Sequence, residues 1–146
     1  MKKLTFILFM FFVINLSLAQ HYGIDKVPQR IILNVTDSPA TSIAVTWRTV
    51  NEYPNSAVKY VIAQDGISFE ESVTSITPQI EKVQLDNSNY VFHYSAVINN
   101  LLPNTIYNYC VGHDSIWSEW AQFKTAKAEE APFTFVYWGD PQNDLK

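Results

Sequence analysis

The sequence predicts an all-β protein built as a two-sheet sandwich. Three observations predict it. Beyond the first twenty residues, apolar and polar side chains alternate in short segments; Asp, Asn, Ser, Gly and Pro clusters separate those segments; and no long stretch carries apolar residues at helical spacing. Seven or so such segments in about a hundred residues is the spacing of a sandwich. The 146 residues, 47% hydrophobic and 16% charged, suffice for the core of one ordinary domain and not for two complete ones.

The N-terminus stands apart from that fold. Lys2 and Lys3 precede an apolar run from Leu4 to Leu16, and Ser17-Leu18-Ala19 offers small residues where a signal peptidase reads. A signal peptide over residues 1–19 is therefore expected, with a mature chain beginning at Gln20 in a secreted or periplasmic location. The run falls short of the ~20 apolar residues that a membrane span takes. Without Lys2 and Lys3 the chain keeps 8 of its 10 basic side chains against 14 acidic ones, a balance of −6. That sign argues against nucleic acid and anionic membranes as partners. Cys110 is the only cysteine, so an intramolecular disulfide is impossible and packing alone holds the fold.

The expected strands follow in order: Arg30–Val35, Ile43–Arg48, Ala57–Ala63, two less sharply marked ones over Ser68–Ser75 and Ile80–Leu85, then Val91–Ile98, Thr105–Gly112 and Trp117–Thr125. Asp37-Ser38-Pro39, Glu52-Tyr53-Pro54-Asn55, Asp65-Gly66, Asp86-Asn87-Ser88-Asn89 and Asn99-Asn100 supply the turns, through Asx hydrogen bonds, proline-fixed φ or tolerance of positive φ. Within the second strand, Ile43, Val45 and Trp47 share one face and Thr46 and Arg48 the other, which makes Trp47 a core anchor. Pro103 fixes a turn, after which Tyr107, Tyr109 and Val111 point inward. Tyr107 stands where a tyrosine corner bonds back to the preceding loop. Cys110, of opposite parity, is expected on the outer face as a bystander. His93 is expected to be a strand residue satisfied by a carbonyl, and His113-Asp114 a solvated turn. These two histidines and His21 show no ligand spacing. Asn34-Val35-Thr36 matches the N-glycosylation triplet, a pattern that arises often by chance.

Trp47, Leu101-x-Pro103-x-Thr105-x-Tyr107 and Phe123-x-Thr125 resemble a fibronectin type III (immunoglobulin-like) domain. The longer order is more specific. It runs from His93 through Tyr107-Asn-Tyr-Cys-Val-Gly112, Trp117-Ser-Glu-Trp120 and Phe123-Lys-Thr125 into Phe133-Thr-Phe-Val-Tyr-Trp-Gly-Asp140. It resembles the N-terminal domain and domain junction of purple acid phosphatases and related calcineurin-like metallophosphoesterases. In that light residues 20–125 are the sandwich, 126–131 a linker, and 132–146 the start of a catalytic α/β domain. Phe133–Trp138 is apolar on both alternating faces, as a strand buried on two sides requires, and Gly139-Asp140 falls where an open sheet presents ligands.

The resemblance implies that Asp140 is a ligand to one of two metal ions, iron with zinc, manganese or a second iron, which activate a hydroxide for in-line attack on a phosphate ester. The sequence departs from the family in having Gly139-Asp140-Pro141-Gln142, where purple phosphatases show Gly-Asp-x-Gly and calcineurin-like enzymes Asp-x-His. Gln142 is no substitute for a histidine ligand, so the metal identity stays open. The family's later ligands would lie beyond Lys146. The expectation is therefore an N-terminal fragment of a secreted phosphomonoesterase, lacking its C-terminal catalytic domain, itself non-catalytic and holding no metal stably. The rival is a stand-alone exported binding or adhesion module, for which Trp117, Trp120 and Tyr94 would form an aromatic platform.

Overall fold

The structure, a computed structural model, describes residues 25–66, 72–85 and 89–137. The expected signal peptide, His21, and Trp138-Gly139-Asp140 all lie outside the described residues. The described chain forms β1 (Gln29–Val35), β2 (Ile43–Thr49), β3 (Ser56–Ile62), β4 (Thr74–Ile76), β5 (Gln79–Gln84), β6 (Tyr90–Ile98), β7 (Ile106–His113), β8 (Ile116–Trp117) and β9 (Ala121–Lys124). One antiparallel sheet has the order β1-β2-β6-β5. The other has the order β4-β3-β7-β8, with β9 also on β7.

Six of the expected strands end within one residue of the observed ones, because period-two alternation is a local signal. Two differ. Over the expected Ser68–Ser75 the described part holds only β4, which starts at Thr74. The expected Trp117–Thr125 strand is two pieces. Ser118 accepts from the Val111 N–H through its own hydroxyl (3.1 Å) and returns its N–H to the Val111 carbonyl (2.8 Å). A side-chain oxygen thus stands where a ladder carbonyl would, and the strand breaks between β8 and β9.

The core lies between the sheets, with Val45, Trp47, Val58, Tyr94, Ile98 and Val111 almost wholly buried. Trp47 pairs with Tyr94 across β2 and β6, and their rings stack at 5.2 Å and 7°. Tyr107 and Tyr109 both pack on Phe123, at 5.4 and 5.8 Å. The tyrosine corner forms: the Leu102 N–H donates to the Tyr107 hydroxyl at 2.8 Å. Arg30, with φ 51°, sits at the register shift between Gln29 and Ile32 that bends the start of β1.

Phe133–Trp138 is not a strand in its described part. Residues 133–137 belong to no strand, and Phe133, Phe135, Val136 and Tyr137 are 74–87% exposed. A parallel-sheet strand exists only with neighbours to receive its N–H and C=O groups, and no described strand lies beside this one.

Candidate domain junction

Thr125 and Ala126 fix how the chain leaves the sandwich. The Thr125 hydroxyl accepts from the Thr105 N–H (2.9 Å) and donates to the Leu102 carbonyl (2.7 Å). The Thr125 N–H donates to the Thr105 carbonyl at 3.0 Å. One residue on, the Ala126 N–H donates to the Pro39 carbonyl (3.0 Å) and the Ala126 carbonyl accepts from the Asn104 N–H (2.8 Å). Asn104 reaches that position with φ 53°, which asparagine tolerates better than most residues. The exit is thus bonded to the β1–β2 loop and to the β6–β7 loop that crosses between the sheets. Beyond it residues 126–130 are exposed and Ala131 is half-buried. The linker sequence, Ala126-Lys-Ala-Glu-Glu-Ala131, offers little apolar surface to hold it down.

The residues proposed for chemistry do not meet on the sandwich. Asp140 lies outside the described residues, and among the described ones no three His, Cys, Asp or Glu gather as a metal would need. His93 is a strand residue of β6, as expected, but it is exposed and has no carbonyl partner among the described residues. His113 is not in a solvated turn. It is 2% exposed, stacks on Tyr53 with ring centroids 3.6 Å apart, and its Nε2 donates to the Lys26 carbonyl at 2.9 Å. The N-terminal segment folds across it, a contact spanning 87 residues of sequence that local spacing does not announce. Asp114 beside it is exposed, as expected.

Cys110 keeps its outward parity but is buried, at 2% exposure. Lys59, Val73, Trp117 and Trp120 close over it on the outer face of the sheet. The Lys59 ammonium lies 3.7 Å from the Trp117 ring centroid, and Trp117 lies so close to Gly112 that a Cβ there would sit 2.9 Å from the indole Cδ2. The aromatic platform of a sugar-binding module is not built. Tyr94 is 1% exposed between the sheets, its hydroxyl accepting from the Tyr53 N–H at 2.9 Å. Its parity with Ala96 and Ile98 is the signal that places it there. Among the described residues no helix is long and apolar enough to cross a membrane.

Solved structures share this architecture. A fibronectin type III domain of human contactin 1 is 25% identical at a TM-score of 0.51, covering 75% of this chain and 84% of that one. The third fibronectin III domain of the human KIAA0343 protein is 14% identical over 81% of this chain and 98% of that one, at a TM-score of 0.45. No curated protein matches the sequence. The family model of the purple acid phosphatase N-terminal domain matches residues 28–125. That span opens at buried Pro28 and closes at Thr125, the residue that pins the exit. From its first strand to its last, the sandwich described above is thus a purple acid phosphatase N-terminal domain, and the chain belongs to that family.

Proposed function

We propose that this sandwich is the non-catalytic N-terminal domain of a secreted, two-metal phosphoesterase that hydrolyses phosphomonoesters, and that Asp140 ends the first strand of its catalytic domain as a metal ligand. The observation that carries the reading is adjacency. The family match ends at Thr125, and the apolar stretch Phe133–Tyr137 follows after a short exposed linker without being absorbed by the sandwich. Such a stretch belongs inside another body. Asp140, three residues beyond it, is then at the carboxyl end of a buried strand, where open sheets place their ligands.

The residues of this chain do not by themselves fit a two-metal site. One carboxylate, with Gln142 where a histidine would be needed, cannot hold two ions against water, because such sites draw several ligands from different strands. The chemistry therefore belongs to the domain beyond, and this chain contributes Asp140 to it. The test is Asp140→Asn in a protein extended through that domain. The substitution keeps the side chain's size and removes its charge. Metal occupancy and turnover of an aryl phosphate should fall by orders of magnitude while the sandwich melts unchanged. Full activity and full metal content in the variant would remove Asp140 from the site.

A further inference from the structure

We propose that the end of the β1-β2-β6-β5 sheet remote from the chain exit carries a binding groove for acidic polysaccharide, in which Arg48 and Lys82 take the carboxylates of uronic acid units and Tyr90 lies against their rings. The groove is built from sandwich residues alone and does not depend on the phosphoesterase reading or on Asp140.

The strand registers place it. Arg48 pairs with Gln29 and His93, Lys82 with Phe92, and Gln84 with Tyr90, whereas Val35, Ile43 and Ile98 line up at the other end of the sheet. An open groove of about 630 Å³ runs between Arg48, Val50, Asn51, Lys82, Tyr90 and Val91. Two of these residues are cations, and none of the described residues that line the groove is acidic. The chain as a whole carries 14 acidic against 10 basic side chains, so the local sign is inverted.

Both cations are held by partners that orient a charge without neutralising it. The Lys82 ammonium lies 4.1 Å from the Tyr90 ring centroid and 6.0 Å from that of Phe92. Arg48 Nη2 donates to Gln29 Oε1 at 3.2 Å, a neutral amide that takes one N–H of the guanidinium fork. Among the described residues the one ion pair is His113 with Asp114, so neither Arg48 nor Lys82 meets a carboxylate there.

The openness of the groove decides the occupant. Lys82 is exposed and Arg48 half-buried, and cations so placed hold a small free anion only weakly, because water and salt screen each contact. A chain of uronic acid units brings carboxylates at repeated spacing, so each contact forms at the high local concentration that the previous one sets. The arginine fork matches a planar carboxylate, and lysine adds a point charge. Val50 and Tyr90, 41% and 44% exposed, give the apolar faces of the sugar rings a surface to cover. This is a different place from Trp117, Trp120 and Tyr94, which build no platform.

Calorimetric titration of the 146-residue chain with polygalacturonate at low salt tests the proposal. Binding should saturate, weaken as salt is added, and fall about tenfold or more in Arg48→Gln with Lys82→Gln, which removes two charge-assisted contacts. Lys124→Gln, at an exposed position on β9 outside the groove, should bind as the unsubstituted chain does. A second reading needs no variant: on adding trigalacturonate, the amide resonances of Asn51, Lys82 and Tyr90 should shift. Absence of binding, binding that survives the double substitution, equal binding of neutral dextran, or shifts confined to other parts of the sandwich overturns the proposal. Inorganic phosphate bound as tightly as the polymer would make the groove a small-anion site and overturn it as well.

Discussion

Trp47 shows what a single side chain contributes here. Its Nε1 is buried with no acceptor among the described residues, so its worth lies in packed area and in the stack on Tyr94, not in a hydrogen bond. Trp47→Ala should cost roughly 3–5 kcal/mol, the range for truncating a buried tryptophan, which is a large share of a small domain's stability. Chemical denaturation reads this directly, and a midpoint close to the unsubstituted protein's would mean the strand parity is wrong. Tyr107 is the converse case. Tyr107→Phe keeps the ring on Phe123 but strands the Leu102 N–H, with an expected loss of about 1–3 kcal/mol in the same measurement. Burial raises the Tyr109 phenol above its ordinary range. Below about pH 10 it is neutral in both states and costs nothing. As pH rises further the unfolded chain ionises first, so stability falls, and Tyr109→Phe should lessen that alkaline loss. An identical pH profile for the variant would show that Tyr109 is not its source.

Strands were legible because their signal is local. The alternation Ile43, Val45, Trp47 and the sequence Tyr107, Tyr109, Val111 each need only a period of two, and both sets face the core as expected. What was not legible depends on contacts far along the chain. His113 is buried by Lys26 and Tyr53, Cys110 by side chains from β3 and the β8–β9 segment, and the break at Ser118 by a hydroxyl bonding Val111. Gly112 follows the same logic at the β7–β8 hairpin. A Cβ there would lie 2.7 Å from Trp117 Cα, so the strands approach only because the side chain is missing. Gly112→Ala should destabilise by about 1–3 kcal/mol, as overpacking does, and loosen Trp117, which its fluorescence would report. Residues 133–137 pair with no strand among the described residues. Phe133–Tyr137 leaves an uncovered apolar segment with open backbone groups, which is an aggregation hazard. Ending the chain at Thr125 should raise soluble yield; an equal or lower yield would count against a second domain beginning there.

For the whole molecule, the sandwich and the proposed metal ligand occupy separate parts of the sequence. The sandwich was legible almost entirely, and the family match over residues 28–125 covers it. The candidate metal ligand, Asp140, was legible only as a motif, since it lies outside the described residues and its proposed role depends on ligands from other strands. Within the sandwich, His113 and Cys110 are buried and His93 is exposed, and hydrogen bonds at Thr125 and Ala126 fix the exit of the chain. We propose that this domain is the non-catalytic partner of a metal-dependent phosphoesterase. The most direct test is hydrolysis of an aryl phosphate, with iron, zinc and manganese supplied, by the 146-residue chain and by the chain extended through the downstream domain, side by side. Metal-dependent turnover is expected from the extended protein and none from the short chain; turnover by the short chain, or an inert extended protein at full metal load, would overturn the proposed function.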